Sequence, residues 1–64
     1  MDSRITLNAP KQVGRMQAVF FKGRYQGEVG TFRDQFIVVG LPCGTFETVE
    51  AAAEALCRYN GRIK

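Results

Sequence analysis

The stretch Gly44-Thr45-Phe46-Glu47-Thr48-Val49-Glu50-Ala51-Ala52-Ala53-Glu54-Ala55-Leu56-Cys57-Arg58-Tyr59-Asn60-Gly61 reads as one capped helix, and it decides the fold. Thr48 is the expected N-cap, because its hydroxyl can accept a free backbone N–H of the first turn, and Glu50 then sits where the helix dipole favours a negative charge. Asn60-Gly61 predicts the end, since glycine adopts the left-handed conformation that closes a helix, and Arg58 lies in the last turn, where a cation is favoured. Val49, Ala52, Ala53, Leu56 and Tyr59 or Asn60 recur at the spacing of one helix face, with Glu50, Glu54 and Arg58 on another. That apolar face needs a partner, and in a chain of 64 residues only a sheet built from the preceding residues can supply it.

Working back towards the N-terminus, Phe36-Ile37-Val38-Val39 is a continuous apolar run, as in a strand covered on both faces or central to a small sheet. Arg33-Asp34-Gln35 before it reads as a turn. Arg24 to Phe32 is expected as a strand in which Tyr25, Gly27, Val29 and Thr31 share one side, and Arg24, Gln26, Glu28, Gly30 and Phe32 share the other. Gly27 and Gly30 mark a bulge, a bend, or a close approach of another backbone or a ligand. Lys22-Gly23 supplies a turn after a strand over Arg15 to Phe21, whose Val19-Phe20-Phe21 is rich in strand formers. Residues 8–15, with Pro10 and Gly14, read as a loosely held arm, and Arg4 to Leu7 as an optional fourth strand at the edge. The expected class is α+β: a three-stranded antiparallel sheet, or four with the N-terminal strand, packed against one C-terminal helix in a single domain, with Phe46 folded under the helix.

Composition excludes more than it selects. Hydrophobic residues are 45% and charged residues 23% of the chain, which is ordinary for a globular domain. No apolar run approaches the ~20 residues of a membrane span, so a cytoplasmic location and no membrane partner are the expectation. There is no histidine, and Glu47, Glu50 and Glu54 are explained by capping and solvation of the helix. No catalytic residue, metal ligand set or cofactor is therefore expected. Cys43 precedes the helix and Cys57 falls in its third turn, roughly 13 Å from the helix start at 1.5 Å per residue, so both read as free thiols, Cys57 half-buried.

The formal charge is +3, and its distribution is uneven. Through residue 33, Arg4, Lys11, Arg15, Lys22, Arg24 and Arg33 face only Asp2 and Glu28. Residues 34–56 hold Asp34, Glu47, Glu50 and Glu54 with no base, and Arg58, Arg62 and Lys64 close the chain. A basic sheet suits a polyanion, although turns are exposed and commonly charged for that reason alone. The candidate nucleic-acid-binding residues are Arg15, Lys22, Arg24, Tyr25, Gln26 and Arg33: cations neutralise phosphates, glutamine can bond a base edge, and an antiparallel ribbon fits the major groove.

Gly44-Thr45-Phe46-Glu47-Thr48-Val49-Glu50-Ala51-Ala52 resembles the strand-to-helix junction of the plant ethylene-response-factor (APETALA-type) DNA-binding domain. The strand, strand, strand, helix order is also similar to that of the arm-binding domains of phage tyrosine integrases. The resemblance implies a sheet docked in the major groove of duplex DNA, with Lys22, Arg24, Gln26 and Arg33 on the sheet side. The expected function is a small phage-like regulatory protein that binds DNA. The alternative is a small adaptor or inhibitor that pairs, through a sheet edge or leftover apolar surface, with a second copy or a host protein.

Overall fold

The computed structural model describes residues 2–8, 16–41 and 44–63. Five strands precede one helix: β1 (Ile5–Leu7), β2 (Gln17–Phe21), β3 (Arg24–Phe32), β4 (Gln35–Val38), β5 (Thr45–Phe46) and α1 (Val49–Tyr59). All neighbours pair antiparallel, in the order β1-β2-β3-β4-β5. The α+β class is as expected, but the sheet has more strands than the three or four anticipated. β1 takes its place beside β2, and β5, inside the segment expected to lead into the helix, pairs Phe46 with Phe36 and Thr45 with Ile37. Residues 9–15 of the expected arm, Arg15 with them, and Cys43 lie outside the described residues. The described start of that arm, Asn8, is bonded to β2: its N–H donates to the Ala18 carbonyl at 3.2 Å, and its carbonyl accepts from Gln17 Nε2 at 2.9 Å.

Both hairpin loops are two-residue turns in which each central residue has positive φ, Lys22 (51°) with Gly23 (78°) and Arg33 (49°) with Asp34 (64°). That is the type I′ geometry, whose twist matches the strands it joins. At the helix, Thr48 Oγ1 accepts from the Ala51 N–H at 3.1 Å. At the other end the Gly61 N–H bonds the Arg58 carbonyl at 3.0 Å and the Arg62 N–H bonds that of Cys57 at 2.9 Å. These two bonds are a Schellman closure around Gly61, at φ 77°.

The core is a single layer between sheet and helix: Ile5, Val19, Phe21, Val29 and Val38 from the strands, Ala52, Ala53, Leu56 and Cys57 from α1. Phe36, Phe46 and Val49 pack at its margin. Tyr59 does not belong to the helix's inner face, being 60% exposed. Its place is taken by Cys57, which is fully buried rather than half-buried, because the inner stripe turns with the helix from Ala52-Ala53 to Leu56-Cys57.

One irregularity rearranges β3. Val19 pairs with Gly27 and Phe20 with Tyr25, so Gln26 is an extra residue with no partner across the ladder, a β-bulge. Residues directly opposite in an antiparallel pair share a face. Gly27 therefore lies on the helix side with Val19, Arg24 lies there with Phe21, and Tyr25 faces away with Phe20. The simple alternation expected along β3 fails at this point, since one inserted residue exchanges the faces of everything before it.

Candidate nucleic-acid interface

The face of the sheet turned away from α1 is the one expected to be basic. Following the pairings, it carries Thr6 from β1, Ala18 and Phe20 from β2, Tyr25, Glu28, Gly30 and Phe32 from β3, Gln35 and Ile37 from β4, and Thr45 from β5. Among the described strand residues it holds no lysine or arginine. A Cβ placed on Gly30 would lie 3.5 Å from Met16 Cγ and 3.6 Å from Val39 Cγ2, so these two side chains converge over that glycine. Met16, Tyr25, Phe32 and Val39 are 53%, 59%, 55% and 41% exposed, which makes the face mainly apolar. The Phe20 and Tyr25 rings meet edge to face at 5.9 Å, and the Tyr25 hydroxyl donates to Glu28 Oε1 at 3.3 Å. Partial burial, together with the neighbouring Glu28 charge, pushes the Tyr25 phenol up from its ordinary value.

The cations lie at the ends of the sheet. Lys22 and Arg24, on either side of Gly23, line a pocket of about 390 Å³ together with Phe21, Gly61 and Arg62. Arg62 is there because Gly61 reverses the chain just past the helix, and the helix ends against the bulge. Gln26 is the joint between them. Its Oε1 accepts from Asn60 Nδ2 at 3.1 Å and from Arg62 Nε at 3.2 Å, its carbonyl accepts from Asn60 Nδ2 at 3.3 Å, and its Nε2 donates to the Arg24 carbonyl at 3.0 Å. The bulge releases Gln26 from the ladder to make these bonds, and they hold Arg62 beside Arg24.

Phe21 forms the base of this corner. The Arg4 guanidinium lies 4.9 Å from its ring centroid and the Lys22 ammonium 5.9 Å, both within cation–π range. Arg4 also pairs with Asp2, its NH2 group 2.6 Å from Oδ2, and the bonds it donates hold the Asp2 carboxyl far below the usual carboxylate range. Among the described residues, no carboxylate lies at ion-pair distance from Lys22, Arg24 or Arg62.

The expected site residues thus separate. Lys22, Arg24 and Gln26 are gathered at the pocket, and Tyr25 beside them faces the opposite side of the sheet. Arg33 sits at the far end of β3, about 25 Å away at ~3.3 Å per residue over its nine residues, with its guanidinium 5.4 Å from the Phe32 ring centroid. Sequence reasoning does not single out Arg4 or Arg62 as site residues. It carries a partial signal for Arg62, as part of the basic group that follows Gly61. No protein-family model, curated protein or solved structure matches this chain, so the likeness of residues 44–52 to the APETALA-type junction stands on those residues alone.

Proposed function

We propose that this chain is a small nucleic-acid-binding protein that grips the phosphates of duplex DNA through the basic corner where the β2–β3 turn meets the end of α1. The observation that carries the reading is that Lys22, Arg24 and Arg62 line one pocket with no described carboxylate paired to them. Unpaired cations held close together repel one another, and an anion spanning them relieves that repulsion. The bond from Arg62 to Gln26 supports the same reading, because a cation already positioned loses less freedom on binding.

Fluorescence anisotropy with a labelled duplex at a series of salt concentrations tests it. If the three cations neutralise about three phosphates, log K against log salt should slope at about −2.7, at −0.9 per phosphate. Replacing Lys22, Arg24 and Arg62 by alanine should flatten the slope together with the loss of affinity. Binding that does not respond to salt removes the proposal.

A second reading is favoured by the apolar open face. Four exposed large apolar side chains on one side of so small a sheet are the character of a protein-binding surface, and the chain would then act as an adaptor. Sedimentation equilibrium of the wild type and of Phe32→Ser/Val39→Thr separates the self-associating form of this reading: association that the double substitution abolishes supports it, and a monomer at high concentration removes it.

A further inference from the structure

We infer that the pocket at the basic corner takes the terminal phosphate of a nucleic-acid strand, a phosphate monoester, in preference to the diesters along the backbone. This deepens the nucleic-acid reading and rests on it. A backbone diester carries one charge and two free oxygens, and the strand leaves it in two directions. A terminal monoester carries close to two charges at neutral pH and three free oxygens, and the strand leaves it in one.

The pocket matches the second description in three ways. It is a concavity of about 390 Å³, large enough for a terminal nucleotide to enter from one side. Its three cations come from two segments of chain far apart in sequence, Lys22 and Arg24 flanking Gly23 of the β2–β3 turn and Arg62 from beyond the helix, so they reach the pocket from two sides instead of tracking one strand. Finally, Arg62 is bonded through Nε to Gln26 at 3.2 Å, which leaves the two terminal nitrogens of its guanidinium as a fork for phosphate oxygens. Gln26 is accordingly a positioning residue: its oxygen orients the arginine and does not touch the ligand.

The pH dependence of this preference comes from the ligand. The charged groups around the corner are Lys22, Arg24 and Arg62, with Arg4 over Phe21 and Asp2 bonded to Arg4. The chain contains no histidine, whereas a phosphate monoester passes from dianion to monoanion near pH 6 as pH falls. Preference for a phosphorylated end should therefore be full at pH 8 and fade towards pH 5.

The test uses the full chain and four probes in competition anisotropy: a 16-base-pair duplex with 5′-phosphate ends, the same duplex with 3′-phosphate ends, the same duplex with hydroxyl ends, and a covalently closed circle. At pH 8 one of the phosphorylated duplexes should bind about 10-fold tighter than the hydroxyl-ended one, the effect expected of one added charge-assisted contact set. That advantage should shrink several-fold at pH 5. Gln26→Leu and Arg62→Gln should abolish it while each keeps a native circular dichroism spectrum, and Arg62→Lys should restore part of it. Equal affinity for all four probes would overturn the inference and leave the backbone grip standing. Binding to none would overturn both. Adenosine 5′-monophosphate serves as a fifth, mononucleotide competitor, and its binding as tightly as the phosphorylated duplex would overturn the strand end as the ligand.

Discussion

Gly27 is the residue on which the packing of helix against sheet most depends. Its φ of 152° lies where side chains are strained, and a Cβ built on it would stand 3.1 Å from Leu56 Cδ2 and 3.4 Å from Cδ1. Leu56 is 1% exposed at the centre of the core, so it has nowhere to retreat. Gly27→Ala therefore adds about 1–3 kcal/mol of backbone strain to an overpacking cost of similar size, about 2–6 kcal/mol in all. A domain of this length has a total stability of roughly 3–10 kcal/mol, so the variant should be visibly crippled. Urea unfolding followed by circular dichroism measures the loss. Gly30→Ala is the internal control. Its φ lies outside the left-handed range, and the nearest atoms to its Cβ, at 3.5 Å and 3.6 Å, are in ordinary contact, so the removal of a strand glycine should stabilise by about 0.5 kcal/mol. The contact portion can be isolated with Leu56→Val, which withdraws part of the side chain that the new methyl would strike. The double variant should then lose about 1 kcal/mol less than the two single losses added together. If Gly27→Ala proves no more costly than Gly30→Ala, the inference from bulge to helix seat is wrong.

The other expectations can be checked on the same preparations. Arg33→Asn with Asp34→Gly gives the β3–β4 turn the residues its two positive φ angles favour, so it should raise stability by about 1 kcal/mol. Because Arg33 lies at the far end of β3 from the pocket, the same variant should change affinity for duplex DNA less than two-fold, and a larger loss would show that the grip extends along the sheet. Cys57 is fully buried, and burial pushes its thiol up from the ordinary value. In a Cys43→Ser background it should react with a disulfide reagent only in denaturant, and rapid reaction in buffer would contradict the core described above. For Asp2, the Arg4 bonds lower the folded-state value, so its contribution to stability is present above the unfolded carboxylate range near pH 4 and is lost as pH falls through the folded value. Wild type and Asp2→Asn should differ in stability near neutrality and converge in strong acid. A difference that stays constant with pH would show that the charge plays no part.

Local signals in the sequence are legible, and relations between distant segments are not. The helix bounds, the Thr48 cap, the Gly61 closure and the two hairpin turns each depend on a few adjacent residues whose chemistry has one good use, and all can be read from those residues alone. Strand β3 runs from Arg24 to Phe32, as the pattern predicts. Strand β5 escapes because its two residues resemble the approach to a helix, and only the position of Phe36 across the sheet makes them a strand. Gly27 narrows the bulge to its neighbourhood, but nothing local marks Gln26 as the inserted residue. Arg4 and Arg62 escape for a related reason: they stand 58 positions apart and become neighbours of Phe21 and the pocket only after the sheet has formed and the helix has lain across it. The sequence places Lys22, Arg24 and Arg33 at the two hairpin turns, where they stand, but does not show on which side of the sheet their charge gathers, because charge along a chain does not reveal which strand end meets the end of a helix.

The bulge explains why the corner and the core are compatible at all. In a regular ladder continued from the Val19–Gly27 pair, Gln26 would pair with Phe20 and its amide would stand on the open face. Tyr25 would then turn towards the helix and Arg24 towards the open face, setting a phenol against α1 and dispersing the pocket's cations. Inserting one residue avoids both outcomes. It puts Arg24 on the side of Phe21, turns Tyr25 onto Phe20, seats Gly27 beneath Leu56, and frees the Gln26 side chain to bond Asn60 and Arg62. The same insertion that lets the helix approach the sheet therefore builds the cationic corner. This linkage predicts that Gln26→Leu, which keeps the bulge but removes the amide, should weaken phosphate binding far more than it weakens the fold. Deletion of Gln26 would leave Gly27, Tyr25 and Arg24 opposite Val19, Phe20 and Phe21, so the faces are kept while the amide is lost, and it too should cost phosphate binding more than the fold.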